Sequence, residues 1–108
     1  RAGAAAQGMI TYEVNLEVAA ALRAEYLAWL QAHVAEILRL DGFEAAMIEE
    51  VTDPAPPTGH FALCVRYRVR DATHLQAYFD QHAACMRAEG IARFGEGFRA
   101  HRRVLQPL

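Results

Sequence analysis

Serine is absent from this chain of 108 residues, and so is lysine: all 11 basic residues are arginine. Without serine, no serine-nucleophile mechanism is available. Cysteine is scarce, with only Cys64 and Cys85. Two thiols are too few for the disulfide framework that staples small secreted domains. Their expected places, mid-strand and mid-helix, suit small buried thiols, and a reducing cytoplasm is the expected compartment. No HExxH, CxxC or comparable spacing occurs, so neither a metal nor another cofactor is expected. No glycine cluster joins a strand to a helix start, which excludes a phosphate loop. No apolar run approaches the ~18 residues of a membrane span. Neither sign of charge dominates: 11 arginines face 13 carboxylates, for a net charge of −2. Such a balance supplies no general attraction to nucleic acid or to an anionic membrane.

What is present is apolar surface, 54% of the residues, enough to bury the core of one domain over residues 9–108. Residues 1–8 lack the charged and apolar regions of a secretory signal and are read as a flexible lead-in. Met9 to Leu16 alternates, with Ile10, Tyr12, Val14 and Leu16 on one side and Thr11, Glu13 and Asn15 on the other, the pattern of a half-buried strand. From Val18 to Leu40 the period becomes helical, with Leu22, Tyr26, Trp29, Leu30, His33 and Ile37 on one stripe and Asp41-Gly42 as its end. Phe43 to Val51 reads as a weaker strand, blurred by three glutamates, and a proline-rich loop follows over residues 53–59. Phe61 to Arg70 is the clearest strand, and Asp71 then caps a second helix with the stripe Leu75, Phe79, His82 and Met86. Gly90, Gly95 and Gly97 are expected to break that helix into a short turn before a last strand, Phe98 to Leu105.

Strand, helix, strand, strand, helix, strand is the order of a ferredoxin-like βαββαβ sandwich, α+β in class: a four-stranded antiparallel sheet with two helices on one face. The Ile10 and Phe61 series supply the apolar face that the helices need. The other face, with Thr11, Glu13, Asn15, Ala62, Cys64, Arg66 and Arg68, is too polar for a second core and less charged than a free surface. A second copy of the chain packed there, forming a homodimer of the α/β-barrel kind around a partly polar cavity, is the expected arrangement.

Several scattered residues also carry a family likeness. They are the opening Met9-Ile10-Thr11-Tyr12-Glu13-Val14, then Trp29, His33 and Glu36, then Phe43. Further on come Val65-Arg66-Tyr67, Tyr78, His82-Ala83, Arg87, Arg93-Phe94-Gly95, and Arg102 with Leu105. Taken together, from Met9 to Leu105, the chain resembles the bacterial domain-of-unknown-function 4286 family of short ferredoxin-like proteins. It departs from that pattern at Arg66, where a glutamine is the family's residue, and at Ala35 and Ala84, where prolines are. The resemblance implies an architecture similar to the dimeric α/β barrels, which include antibiotic-biosynthesis-type monooxygenases and haem-degrading enzymes, and it implies no activity. Asn15, Trp29 and His82 match the residue types of the haem-degrading barrels, but a tryptophan on the first helix is out of place for that role, which is not carried over.

His33 and His82 stand out because each falls within an apolar stripe, where an imidazole must be hydrogen-bonded to be tolerated. One reading makes both satisfied core histidines, bonded to backbone or to Tyr12, Tyr67 or Tyr78. The other makes them acid–base groups or ligand anchors in a pocket, with Tyr67 as a third catalytic candidate. Tyr26 and Trp29, beside His33 on the same stripe, are core aromatics or a ligand wall, and Tyr12 joins them as a binding candidate. Arg66 and Arg68 either pair with Glu13, Glu49 or Glu50, or bind a carboxylate as bidentate forks. Nucleic-acid binding by base stacking needs aromatics on the open sheet face, and Tyr12, Phe61 and Tyr67 carry the parity of the core face instead. The expected function is therefore binding of a small anionic or aromatic molecule in a cleft between helices and sheet or between subunits. The first alternative is a cofactor-independent monooxygenase or isomerase with a histidine base. The second is a structural or protein-interaction dimer with no ligand.

Overall fold

Period-two alternation is realised over the whole of Ile10–Ala19, the first strand β1. The structure, a computed structural model, describes residues 9–108. The lead-in expected at residues 1–8 lies outside the described residues. After β1 a single 3₁₀ turn at Ala20–Leu22 leads into helix α1 (Arg23–Ile37). Strands β2 (Phe43–Val51) and β3 (His60–Val69) follow, then helices α2 (Ala72–Gln81) and α3 (Ala83–Phe94), and finally β4 (Phe98–Leu105). The sheet order is β2-β3-β1-β4, and every neighbouring pair is antiparallel. Helix α1 links β1 to β2 with β3 between them, the split βαβ unit of a ferredoxin-like α+β fold. The sheet is open, with β2 and β4 as its edges. No helix among the described residues is long and apolar enough to cross a membrane.

Register decides which side chains share a face. Ile10 pairs with Val69 and the match continues to Ala19 opposite His60, so Ile10, Tyr12, Val14, Leu16 and Val18 align with Val69, Tyr67, Val65, Leu63 and Phe61. All ten are buried, and they form one core with Tyr26, Leu30, Val34 and Ile37 of α1 and with Leu75, Tyr78, Ala83 and Phe94 of α2 and α3. The same register sets Glu13 opposite Arg66 on one side and Arg103 on the other, an opposite-charge cross-strand arrangement on the face away from the helices. β2 is blurred in sequence because an edge strand buries little: only Phe43 is buried along it, and a bulge falls between Phe43 and Ala45.

The structure revises several expected boundaries. The first helix begins at Arg23, not Val18, because Val18 and Ala19 complete the pairing with Phe61 and His60. At its other end the helix stops at Ile37, and Leu38 to Leu40 form tightening turns, with the Arg39 and Leu40 amides donating to Glu36 and Ile37. Gly42 is therefore no helix cap. It sits in the turn entering β2 at φ +89°, and a Cβ there would collide with the His74 side chain, so both backbone and packing require glycine. The third strand lies one residue earlier than expected, at His60–Val69.

Asp71 does cap the second helix, accepting from the His74 amide at 2.9 Å. That helix is two helices, however, broken at His82, whose backbone (φ −129°, ψ −31°) leaves the helical region. Tyr78 is the side chain buried there, with Phe79 and Met86 only partly covered. Gly90 breaks nothing. It lies within α3, where an added Cβ would stand 3.0 Å from the Trp29 ring, so its lack of a side chain lets α3 close on α1. Cys64 is buried, but Cys85 is exposed on the solvent side of α3 and is not the core thiol expected.

Candidate functional site

The alternating face of β1 and β3 brings Tyr12 and Tyr67 side by side under the helices, their rings stacked at 5.8 Å and 23°. On α1, the four-residue step from Trp29 to His33 stacks the imidazole on the indole at 4.5 Å and 20°. On α3, Arg87 falls into the inward stripe Ala83, Arg87, Gly90, Phe94 and crosses to the sheet, where its Nη2 donates to the Tyr12 hydroxyl at 3.3 Å. Between these three walls is a cavity of about 40 Å³. Tyr12, Tyr26, Trp29, His33 and Tyr67 line it, together with Tyr78, Met86, Arg87, Gly90 and Arg102. At roughly 10–15 Å³ per water, that volume admits about three water-sized occupants.

Its polar groups are poorly satisfied from within the chain. His33 Nδ1 and Arg87 Nε are buried and lack any hydrogen-bond partner, and they are the only such side-chain atoms among the described residues. Burial pushes the His33 imidazole below its ordinary value of 6.5 against the opposing pull of Glu89 and Glu36, so the ring is neutral at pH 7. Burial also raises the phenols of Tyr26 and Tyr67, and takes Tyr78 to about 12, so all three remain protonated donors. No aspartate or glutamate is among the described residues that line the cavity, whereas two guanidinium groups are. A neutral imidazole facing protonated phenols can accept a proton, and the guanidinium and hydroxyl groups can hold an oxyanion.

A second polar centre occupies the opposite face of the sheet. Glu13, only 3% exposed, accepts from Arg103 at 2.5 Å, Asn15 at 3.0 Å and Arg66 at 3.3 Å. The Arg103 hydrogen bond first, then that of Asn15, holds its carboxyl down at about 2. Arg66 reaches Glu49 as well, at 3.1 Å. The same face carries a broad open hollow of about 560 Å³ under Pro54, Pro56 and Pro57, bordered by Asn15, Arg99 and His101, and no unsatisfied buried side-chain atom among the described residues lies in it.

The structure thus divides the candidate residues. Tyr12, Tyr26, Trp29, His33 and Tyr67 share one cavity. His82 is not in its lining; it occupies the break between α2 and α3, with its ring 6.5 Å from that of Tyr78. Arg66 and Arg68 lie across the sheet from His33, Arg66 engaged by Glu13 and Glu49. Sequence reasoning did not single out Arg87 or Arg102 for the site; both entered as part of the family likeness. Both leave a signal: Arg102 has the parity of Phe98 and pairs with Val14, and Arg87 has the helical spacing of Ala83, Gly90 and Phe94. Among the described residues no cluster of three or more histidine, cysteine or acidic side chains is placed to hold a metal ion.

Fold and cavity together define an α+β protein of the ferredoxin-like kind, a four-stranded antiparallel sheet left open on one face with a cavity between its other face and the helices. More particularly, residues 9–108 match the family described as domain of unknown function DUF4286, and the chain belongs to that family. No curated protein matches it in sequence. Among solved structures it is similar to a conserved protein from Methanosarcina mazei, with 11% identity, a TM-score of 0.73, and coverage of 98% of this chain and 99% of that one. It is also similar to SnoaB, a cofactor-independent oxygenase from Streptomyces nogalater, with 13% identity, a TM-score of 0.69 and 94% of each chain covered. An ethyl tert-butyl ether d (EthD) family protein from Bacillus halodurans has 13% identity and a TM-score of 0.67, over 93% of this chain and 99% of that one. At such identities the likeness concerns the fold alone.

Proposed function

We propose that this protein binds a small molecule in the cavity between helices and sheet. The observation that carries the reading is that His33 and Arg87, which line one cavity from two different helices, each hold a buried nitrogen without a partner. Leaving a buried polar atom unsatisfied costs about 1–3 kcal/mol, a cost that a bound molecule offsets. The protein acts as a cytoplasmic homodimer joined through the open sheet face, where Met47 is 57% exposed and Leu105 39% exposed beside the Arg66–Glu13–Arg103 cluster. A second reading, a cofactor-independent oxygenase or isomerase, draws support from the neutral His33 set among protonated tyrosines. In that scheme His33 takes a proton from the bound molecule and Arg87 with Tyr12 holds the resulting oxyanion. The fold shared with the Streptomyces nogalater oxygenase is compatible with it.

Native mass spectrometry of protein purified gently from a bacterial host tests the reading. A dimer carrying additional mass is expected, and His33→Ala is expected to fold normally and lose that mass. A bare dimer whose His33→Ala variant only loses about 1–3 kcal/mol of stability would make His33 a core residue and the protein an interaction module.

A further inference from the structure

Apart from the neutral His33 imidazole, which also accepts, the polar lining of the cavity consists of groups that serve as donors. Arg87 and Arg102 have no carboxylate within 4 Å among the described residues, whereas Arg23, Arg66, Arg70 and Arg103 each have at least one; Arg39, Arg68, Arg93 and Arg99 also have none but do not line the cavity. Tyr12 already accepts from Arg87, so its own hydroxyl hydrogen is available to a further acceptor. A guanidinium hydrogen bond onto a hydroxyl strengthens that hydroxyl as a donor, because bonds in a chain polarise one another. Tyr26, Tyr67 and Tyr78 are held protonated by burial. The lining therefore carries guanidinium charge and an excess of donors with no negative charge to meet them, and the missing partner is an anion.

Shape narrows the class. The stacked ring pairs Tyr12–Tyr67 and Trp29–His33, with interplanar angles of 23° and 20°, contribute aromatic surface to the lining, and Val14, Leu30 and Met86 contribute apolar surface. A cavity of about 40 Å³ encloses roughly three or four non-hydrogen atoms. A planar carboxylate on a short carbon stem meets these limits. A tetrahedral phosphate dianion would need more donors and more room. Guanidinium Nε and Nη hydrogens also form the fork that carboxylates engage bidentately, and Nε is the atom left without a partner.

We infer that the cavity takes a carboxylic acid as its carboxylate, with Arg87 as the counter-charge and the Tyr12 hydroxyl as second donor. This rests on the cavity being a ligand site and adds the chemical class of the ligand. Arg102, exposed at the rim, assists by its charge.

The test titrates the intact protein with acetate, with its neutral isostere acetamide and with inorganic phosphate at constant ionic strength. Emission of Trp29, the only tryptophan, serves as the reporter. Acetate is expected to saturate with a Kd of about 1 mM, at least roughly tenfold tighter than acetamide and than phosphate. Arg87→Gln is expected to abolish the preference over acetamide, Arg87→Lys to keep part of it, and Tyr12→Phe to weaken acetate several-fold. Arg93→Gln, which removes an exposed charge from the same helix, is expected to change nothing. Equal binding of acetamide, tighter binding of phosphate, or a preference that survives Arg87→Gln in folded protein would overturn the inference. If no additive binds while a co-purified mass disappears in His33→Ala, the carboxylate class fails and the ligand site stands. If acetate binds selectively to protein that carries no mass, the class stands and only the natural occupant was lost on purification.

Discussion

The two faces of the sheet each hold a polar centre, and the centres differ in how far the chain completes them. On the open face, Glu13 is surrounded by Arg103, Arg66 and Asn15, and both its oxygens accept from neighbours on β1, β3 and β4. On the helix face, Arg87 and His33 reach the cavity and each leaves a buried nitrogen without a partner. Both centres contain arginine, and an arginine-rich centre of either kind suits an anion. The difference lies in whether a counter-charge is built in. Register supplies one to Arg66 and Arg103, and neither β1 nor the helices supply one to Arg87. A satisfied cluster holds strands together, and an unsatisfied one waits for something from outside.

Removing Glu13 is expected to have the largest effect on stability. Glu13→Ala takes out a buried carboxylate with three charge-assisted or amide hydrogen bonds, and a loss of about 1–3 kcal/mol in urea melts is expected. Any mass held in the cavity should remain. Loss of the mass with stability unchanged would reverse the assignment of the two faces.

Acid should separate the centres by pH. Glu13 titrates at about 2 in the folded chain against an ordinary 4.5, so the unfolded chain binds the proton first. Its stabilisation is complete above about 4.5 and is lost as pH falls toward 2. The folded His33 imidazole also lies below its ordinary 6.5, with burial lowering it most, Glu89 and Glu36 raising it and Arg102 lowering it. Its contribution is present above 6.5 and declines as pH falls below that value. Stability measured against pH should thus fall in two stages, and Glu13→Gln should shrink only the lower one, to which Asp71, held down by the His74 amide, and Glu50, held down by Arg23, also contribute. A lower stage undiminished in Glu13→Gln would count against this account of the open face.

Arg66→Ala is expected to cost less than about 1 kcal/mol, since Arg66 is half exposed and Arg103 and Asn15 still serve Glu13. Acetate binding should be unaffected; a loss would place the ligand on the open face of the sheet, away from His33 and Arg87. The smallest change in stability is expected for Arg87→Gln, within about 0.5 kcal/mol, because it loses the 3.3 Å bond to Tyr12 and a distant cation–π contact, 6.0 Å from the Phe79 ring. A drop comparable to that of Glu13→Ala would show Arg87 to be a structural tie.

Much of the fold was legible because strand parity and helix capping are local. β1 and β3 could be read from alternation, and Asp71 from its place ahead of an apolar stripe. Gly90 could not. A mid-helix glycine looks like a breaker until Trp29, on another helix, is found against it. The break at His82 was hidden because the stripe Leu75, Phe79, His82, Met86 runs through it with helical spacing, although the backbone does not. Of the candidate site, the aromatic walls were visible, while the charge drew notice on the other face of the sheet. Arg66 and Arg68 are conspicuous as a row on a strand, whereas Arg87 is one arginine on a helix whose partner, Tyr12, lies 75 residues away.

By itself the sequence determined the order of elements, the face of the sheet that carries the core, and the absence of a serine nucleophile, since each follows from residue type or from a period of two or 3.6. Which charges would be neutralised and which left open was decided only in the tertiary structure. Pairing of Glu13 with two arginines depends on the register of three strands, and the cavity depends on how closely Gly90 lets α3 approach Trp29. Both are set by packing between residues far apart in the chain, where no local period reaches.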